Sequence, residues 1–217
     1  LWFAIHGSGL VILDLKSGRS ETLHHDRHIP GSLPEEFETT LFMDRSGLLW
    51  VGGESRGLAT SNPDGAHFRY IVDNTPNRNP ITGNNIRTIW EDSQQRLWLG
   101  TEGDGLKRYD PSNDRFEYFN DVLNHAQGLK AQASELRIFT VQGTGDTNSL
   151  WVLSNQGVFL LDPDQRKASM LPVDTLQNNA LPDISVYSLL RARDGSLWFG
   201  THRAGLAHWW PRENRWE

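Results

Sequence analysis

The sequence predicts an all-β fold in which a four-stranded antiparallel unit is repeated about five times. The first observation is a recurring tryptophan, at Trp2, Trp50, Trp98, Trp151 and Trp198, in steps of 48, 48, 53 and 47 residues. The second is a glycine followed by an aliphatic residue six or seven positions after each tryptophan. The third is a pair of turn-forming segments, one just before the tryptophan, as at Asp194-Gly195, and one about twelve residues after it, as at Asp110-Pro111. A period of this length with one aromatic residue per copy indicates a repeat architecture.

The third copy shows the unit most clearly. Its predicted strands cover residues 86–91, 96–101, 105–109 and 115–119. The second strand is apolar at consecutive positions, which is typical of a strand covered on both faces. Four antiparallel strands in about 48 residues is the size of one β-propeller blade. Each repeated tryptophan would then bury on the order of 200 Å² between neighbouring blades.

The copies predict a single propeller region with blades at approximately 1–37, 38–85, 86–134, 135–184 and 185–217. The first copy begins at its second strand, so its blade lacks an inner strand. Seven blades at this period would need roughly 340 residues, which favours a segment of a larger, seven-bladed propeller. A closed ring of five blades is the alternative. An incomplete ring would leave Trp2, Phe3 and Trp210 uncovered and would favour a homodimer.

Composition narrows the function classes. The net charge of −6 argues against non-specific binding to nucleic acid or to an anionic membrane. No apolar run approaches 18 residues, so a membrane would be reached only through segments outside this chain. The sequence has no cysteine, which excludes disulfides and thiolate metal sites.

The loops between the second and third strands, with the long connections between blades, supply the candidate ligand-binding residues. They vary among the copies while the strands stay alike, and we expect them to meet on one face. The Asn and Arg side chains of the long connection over residues 74–85 suit a polyol, although Asn and Pro also serve as turn formers. The candidates are His6, Glu54, Arg56, Asn84, Asn85, Glu102, Asp104, His202 and Arg203.

Two further patterns were weighed as chemical sites. Glu102 and Asp104 offer two carboxylates, which a glycosidase needs on opposite sides of the scissile bond. The segment from His24 to His28 offers imidazole and carboxylate ligands of the kind that zinc binds. Both patterns are more typical of solvated surface loops, so the sequence predicts no catalytic residue, no metal site and no cofactor.

The third copy resembles a known repeat. The matching residues are Ile86, Ile89, Glu91, Asp92, Leu97-Trp98, Gly100-Thr101, Gly105-Leu106 and Arg108-Tyr109-Asp110-Pro111. This set resembles the two-component regulator propeller repeat, and weaker copies cover essentially the whole chain. The copies depart from the pattern at Gln95 for Gly, Gly53 for Thr, Ala192 for Asp and Leu153-Ser154 for Gly-Thr.

The resemblance implies a location and a role. Proteins with this repeat typically carry the propeller outside the cytoplasmic membrane, ahead of a transmembrane helix and a kinase or nucleotide-cyclase-like output domain. It therefore implies a non-catalytic ligand-sensing module on the periplasmic or extracellular side of a bacterial inner-membrane protein, with a small polar ligand or an oligosaccharide as its target. The alternatives are a propeller enzyme acting on polysaccharide, as a lyase or hydrolase, and a protein-docking scaffold.

Overall fold

The computed structural model describes residues 1–62, 67–74, 84–126, 136–145, 147–172 and 185–217. It confirms the predicted fold class, because the chain forms consecutive antiparallel sheets in which each strand follows its neighbour in sequence. The first blade contains β1 (Trp2–Ile5), β2 (Gly9–Leu13) and β3 (Ser20–Leu23). The second contains β4 (Glu38–Met43), β5 (Leu49–Gly53), β6 (Leu58–Ser61) and β7 (Arg69–Ile71).

The remaining blades follow the same order. The third contains β8 (Ile86–Glu91), β9 (Leu97–Gly103), β10 (Leu106–Asp110) and β11 (Arg115–Tyr118). The fourth contains β12 (Leu136–Gly143), β13 (Leu150–Ser154), β14 (Gly157–Asp162) and β15 (Lys167–Met170). The fifth contains β16 (Val186–Arg191), β17 (Leu197–Thr201), β18 (Leu206–Trp210) and β19 (Arg215–Trp216).

The hydrophobic core consists of four clusters, one between each pair of neighbouring blades. Trp50, Trp98 and Trp151 belong to these clusters and Trp2 packs against one of them, as predicted. The prediction is wrong for Trp198, which is half-buried and stacks on His208 within its own blade. Trp50 is 4% exposed between the second and third blades, and Trp98 is fully buried between the third and fourth. Trp151 is buried between the fourth and fifth blades. Burying such large rings supplies much of the free energy that holds adjacent blades together.

The aspartate of the repeat explains why the tryptophan follows it by six residues. Asp92 accepts hydrogen bonds from the backbone N–H groups of its own turn and from Trp98 Nε1, at 2.8 Å. Asp44 forms the same arrangement with Trp50 Nε1, also at 2.8 Å. One carboxylate therefore fixes both the hairpin and the ring orientation. The fifth blade has Ala192 at this position and lacks that acceptor.

The glycine that follows the tryptophan has a steric reason. A Cβ atom at Gly100 would lie 2.6 Å from Ile138 Cγ2 in the next blade and 2.6 Å from Thr88 Cγ2 in its own inner strand. Real Cβ atoms essentially never approach that closely, so a larger residue would push the blades apart. The glycine thus permits the close contact between adjacent inner strands.

Gln95 stands where the repeat has glycine, and its backbone keeps the positive φ that a glycine would adopt there. Its φ is +63°, in the left-handed region where Gly47 and Gly195 also lie at the equivalent turns, at +85° and +87°. An L-residue in this conformation is strained by roughly 1 kcal/mol relative to glycine. The turn keeps its shape because Asp92 holds its N–H groups.

The outer faces of the first and fifth blades lie open. Leu1, Phe3 and Ile5 are exposed on the first, and Leu190 and Leu206 are exposed on the fifth. The five blades therefore form an open arc.

Within the first blade, the expectation of an uncovered Trp2 is wrong. Because side chains of β1 alternate between its two faces, Trp2 and Ala4 pack against the cluster shared with the second blade while Phe3 points outward. Trp210, also expected to be uncovered, is half-buried, with Arg215 over its ring at 3.7 Å.

The connection after the third blade contains a short helix. This helix, α1, spans Asn120–Ala126, and residues 127–135 lie outside the described part of the chain. Asn120 starts the helix and also holds the preceding loop, since its side-chain oxygen accepts the Leu106 N–H and its amide donates to the Asp104 carbonyl. Val122 and Leu123 of this helix are buried against the fourth blade.

Candidate functional site

The loops between second and third strands and the connections between blades meet on one face, called here the loop face. Backbone hydrogen bonds join the two sets. Gly57 N donates to the Asn84 carbonyl at 3.0 Å, and Glu102 N donates to the Asn85 carbonyl at 3.0 Å. In the fifth blade His202 N donates to the Ser185 carbonyl at 3.0 Å. The expected convergence is therefore present in the structure.

In the third, fourth and fifth blades a hydroxyl side chain closes the loop between the second and third strands. Thr101 Oγ1 donates to the Gly105 carbonyl at 2.9 Å and accepts the Asp104 N–H at 3.0 Å. Thr201 and Ser154 close their own loops in the same way. These contacts make the loops rigid supports for the residues on them.

The second blade has Gly53 in place of this threonine and uses a different group. The buried carboxylate of Glu35 accepts the backbone N–H groups of Ser55 and Arg56, at 2.9 and 2.8 Å. A Cβ at Gly53 would lie 2.1 Å from Glu35 Oε1, so the glycine makes room for that carboxylate. The departure from the repeat is thus compensated by a residue 18 positions earlier in the chain.

The structure separates the candidate residues by their exposure. Asn84 and Asp104 are buried. Asn84 Oδ1 accepts the Asp73 N–H at 2.9 Å. Asn85 holds the Glu102 loop through its carbonyl. These three residues have structural contacts at the base of the loop face.

The other candidates lie toward solvent. His6 Nε2 lies 3.6 Å from the Glu54 carboxylate, and this contact connects the first and second blades. Arg56 and Arg203 are exposed on their own loops. Glu102 and His202 lie beside residues of the inner strands that were not among the candidates.

Those residues occupy a β-bulge that recurs in four blades. The pairing of each inner strand with its neighbour shifts by one residue at the same place, between Glu38 and Thr40, Ile86 and Thr88, Ile138 and Thr140, and Val186 and Ser188. The extra residue in each strand is the bulge residue, namely Thr39, Arg87, Phe139 and Tyr187. A bulge redirects a side chain out of the regular ladder, and bulges are common beside functional sites.

The charged half of the site joins the third and fourth blades. The Glu102 carboxylate forms an ion pair with Arg87, and Arg137 Nε lies 3.4 Å from its other oxygen. Glu102 and Arg137 also face each other where β9 pairs with β12. One carboxylate is thus shared by two guanidinium groups from neighbouring blades.

The aromatic half continues into the fifth blade. The Phe139 and Tyr187 rings lie 4.2 Å apart, and the His202 ring lies 5.7 Å from Tyr187. Arg87 lies over the Phe139 ring at 5.7 Å and connects the two halves. The bulge cluster, as we name this group, comprises Arg87, Glu102, Arg137, Phe139, Tyr187 and His202.

Sequence reasoning identified only Glu102 and His202 of the bulge cluster. A signal for the others exists in hindsight, because each inner strand carries a variable residue before Thr or Ser and an aliphatic residue. The pattern reads Thr39-Thr40-Leu41, Arg87-Thr88-Ile89, Phe139-Thr140-Val141 and Tyr187-Ser188-Leu189. The variable position is the bulge residue in each case.

The histidine-rich segment makes ordinary surface contacts. His25 Nδ1 lies 2.6 Å from the Leu33 carbonyl, and His24 Nδ1 lies 3.5 Å from the Glu36 carboxylate. Within the described residues, no group of three or more His, Cys, Asp or Glu side chains converges as a metal site would require.

The fold defines the chain as a β-propeller protein. The sequence model for the two component regulator propeller matches residues 80–103 and 180–203. These two stretches are therefore two component regulator propeller repeats, which confirms the resemblance. No curated relative matches the chain.

Solved structures share the fold. The extracellular domain of the putative hybrid two component system BT3049 from B. thetaiotaomicron is 22% identical, with a TM-score of 0.72 over 94% of this chain and 24% of that one. The corresponding domain of BT4673 is 18% identical, with a TM-score of 0.76 over 95% of this chain and 25% of that one. The chain thus spans about a quarter of their length.

A virginiamycin B lyase from Staphylococcus aureus is also similar in fold. It is 13% identical, with a TM-score of 0.62 over 94% of this chain and 60% of that one.

Proposed function

We propose that the chain is part of a non-catalytic, ligand-sensing propeller of a membrane-anchored signalling receptor, located outside the cytoplasmic membrane. The two matched repeats support the proposal. So do the fold neighbours that are extracellular domains of hybrid two component systems. Among the described residues, no helix combines the length and apolar character that crossing a bilayer would take.

The bulge cluster is the proposed recognition site, and the observation that carries this is the repeated bulge. Four blades present an extra inner-strand residue at the same register, and the residue type differs in each. Aromatic rings beside guanidinium donors suit an oligosaccharide, because a sugar ring offers C–H faces for stacking and hydroxyl oxygens as acceptors.

Signalling would follow from the position of the cluster across blades. Glu102 connects Arg87 of the third blade to Arg137 of the fourth, and Phe139 contacts Tyr187 of the fifth. A ligand that contacts all three blades would favour one relative arrangement of them. It shifts the receptor between states only to the extent that its affinities for those states differ.

Calorimetry with a panel of oligosaccharides tests the proposal. Tyr187→Ala should weaken binding about tenfold or more, since losing one stacking ring amounts to roughly 1.4 kcal/mol. Tyr70→Ala is the matched control, because Tyr70 is an exposed tyrosine on the outer strand β7 of the second blade, outside the cluster. Equal affinity of Tyr187→Ala and wild type would contradict recognition by the bulge cluster.

A propeller enzyme is the second candidate, favoured by the fold shared with a lyase. Incubation with the same glycans, followed by chromatography, distinguishes the two proposals. A sensor leaves the glycans intact, whereas a lyase or hydrolase shortens them.

A further inference from the structure

A residue near the start of each inner strand occupies the same place on the loop face in four blades. Its backbone carbonyl accepts the N–H of the loop residue that lies four positions after the repeated tryptophan. The pairs are Phe37 with Glu54, Asn85 with Glu102, Arg137 with Asn155 and Ser185 with His202, at 3.0, 3.0, 3.2 and 3.0 Å. Each of these strand residues precedes the bulge residue of its blade by two positions. Neighbouring blades therefore present equivalent positions along the loop face.

Phe37 is the aromatic residue among these four, and it is 44% exposed. The equivalent residues in the other blades are Asn85, Arg137 and Ser185. The packing of the blades therefore does not require an aromatic ring at this position. A large apolar side chain that is held on the surface without a packing role is a feature of binding sites.

The contact between Phe37 and His6 resembles the one at the far end of the bulge cluster. The His6 and Phe37 ring centroids lie 4.9 Å apart with an interplanar angle of 64°. The Tyr187 and His202 rings lie 5.7 Å apart at 73°. His6 and His202 are equivalent residues, each four positions after its tryptophan. The same two kinds of ring therefore meet edge to face at both ends of the loop face, although His6 belongs to the blade before that of Phe37.

Glu54 adds a polar group beside these rings. Its side chain is 49% exposed, and its carboxylate lies 3.6 Å from His6 Nε2. A carboxylate accepts hydrogen bonds from hydroxyl groups, and an aromatic ring offers a face for the C–H groups of a sugar. The Phe37 subsite, as we name His6, Phe37 and Glu54, thus combines rings and a charged group as the bulge cluster does.

The bulge residues connect the Phe37 subsite to the bulge cluster. Thr39 follows Phe37 by two positions, and its Oγ1 donates to the carbonyl of Ile86 in the third blade. The next residue, Arg87, belongs to the bulge cluster and leads to the rings of the fourth and fifth blades. A continuous line of side chains therefore crosses the second to fifth blades and has aromatic rings at both ends.

We propose that the Phe37 subsite is a second glycan-binding position, so that the loop face takes a linear oligosaccharide long enough to span the second to fifth blades. This inference rests on the proposed recognition of a glycan by the bulge cluster. Once one end of a glycan occupies that cluster, binding of the other end at the Phe37 subsite is an intramolecular step and adds affinity. A glycan too short to span the two positions gains nothing. Affinity should therefore rise with chain length.

The test is calorimetry with cello-, manno- and xylo-oligosaccharides, each from the disaccharide to the hexasaccharide. In a series that binds, the wild type should bind the hexasaccharide about tenfold or more tightly than the trisaccharide. Phe37→Ala should remove most of this difference and leave the affinity for the trisaccharide unchanged. Tyr187→Ala should weaken the binding of both. Phe37→Trp is the matched control, because it keeps an aromatic ring and should keep the dependence on length.

The outcomes separate this inference from the proposed function. Equal affinities for the trisaccharide and the hexasaccharide overturn the Phe37 subsite, as does full affinity of Phe37→Ala for the hexasaccharide. A weaker Tyr187→Ala variant would in both cases still support the bulge cluster. A loss in Phe37→Trp as large as that in Phe37→Ala overturns stacking on the ring. If no series binds, the bulge cluster fails as a glycan site and the Phe37 subsite fails with it.

Discussion

Replacing Trp98 with phenylalanine isolates the hydrogen bond that orients the repeated ring. Trp98 is fully buried, and its Nε1 donates to Asp92 at 2.8 Å. Phenylalanine keeps most of the apolar contact, including that with Phe119, whose ring lies 4.7 Å away. The carboxylate, however, loses one of its donors in a dry environment. A hydrogen bond to a charged group is worth about 1.5–3 kcal/mol, and that is the expected loss in the free energy of unfolding.

The fifth blade supplies the internal comparison. Trp198 has no aspartate six residues before it, and its ring instead stacks on His208 at 3.7 Å. Trp198→Phe should therefore cost less than about 1 kcal/mol. The difference between the two substitutions measures the aspartate contact rather than the size of the ring.

Urea unfolding followed by circular dichroism gives these free energies. Combining Trp98→Phe with Asp92→Ala completes a double-mutant cycle, whose coupling should be about 1.5–3 kcal/mol. A coupling below about 0.5 kcal/mol would refute the reasoning, as would equal costs for Trp98→Phe and Trp198→Phe.

Three more predictions concern stability. Trp98→Ala should cost roughly 3–5 kcal/mol, as for a large buried aromatic residue, and an unchanged melting temperature would contradict its role between blades. Ala192→Asp should restore the missing acceptor for Trp198 and add about 1 kcal/mol, whereas a lower urea midpoint would show that the turn cannot use it. Burial raises the pKa of Asp44, but hydrogen bonds from Ser46, Trp50 and the backbone outweigh this and hold that pKa below its usual value. Its contribution is therefore present above the unfolded pKa of about 3.9 and is lost as the pH falls through the folded pKa. Urea midpoints from pH 6 to about 2 should show this loss in wild type and less of it in Asp44→Asn.

The strands and the contacts between blades could be predicted because they follow from a periodic pattern. In the third blade, the predicted strands differ from the observed ones by at most two residues at either end. The loop face could be predicted too, since alternating antiparallel strands bring every second connection to the same side. These features recur in each copy of the repeat, so a strand or loop predicted in one copy is supported by the same pattern in the others.

Features that depend on contacts distant in sequence could not be predicted. The bulge is a property of the register between two strands, and no single strand shows it. The Glu35 carboxylate closes the loop of the second blade, where Gly53 stands in place of the loop-closing threonine. Glu35 lies 18 residues before that position, in the connection that precedes the blade. Lys107 and Asp73 form a fully buried ion pair at 2.7 Å between the second and third blades, although each residue alone is typical of a surface.

The bulge also frees one residue of each inner strand from the ladder hydrogen bonds that a regular strand residue must form in addition to its packing contacts. A regular strand residue serves both the ladder and the packing, so changing it risks the fold. The inserted residue stands outside the ladder and is followed by a hydroxyl residue in all four blades. The residue before it is aliphatic in the third to fifth blades, as at Ile86 and Val186, and is Glu38 in the second. The four bulge positions hold different side chains, while the strand pairing around them is the same in each blade. If the bulge cluster recognises the ligand as proposed, single substitutions at Arg87, Phe139 or Tyr187 would change the ligand preference while the ladder pairing stays intact.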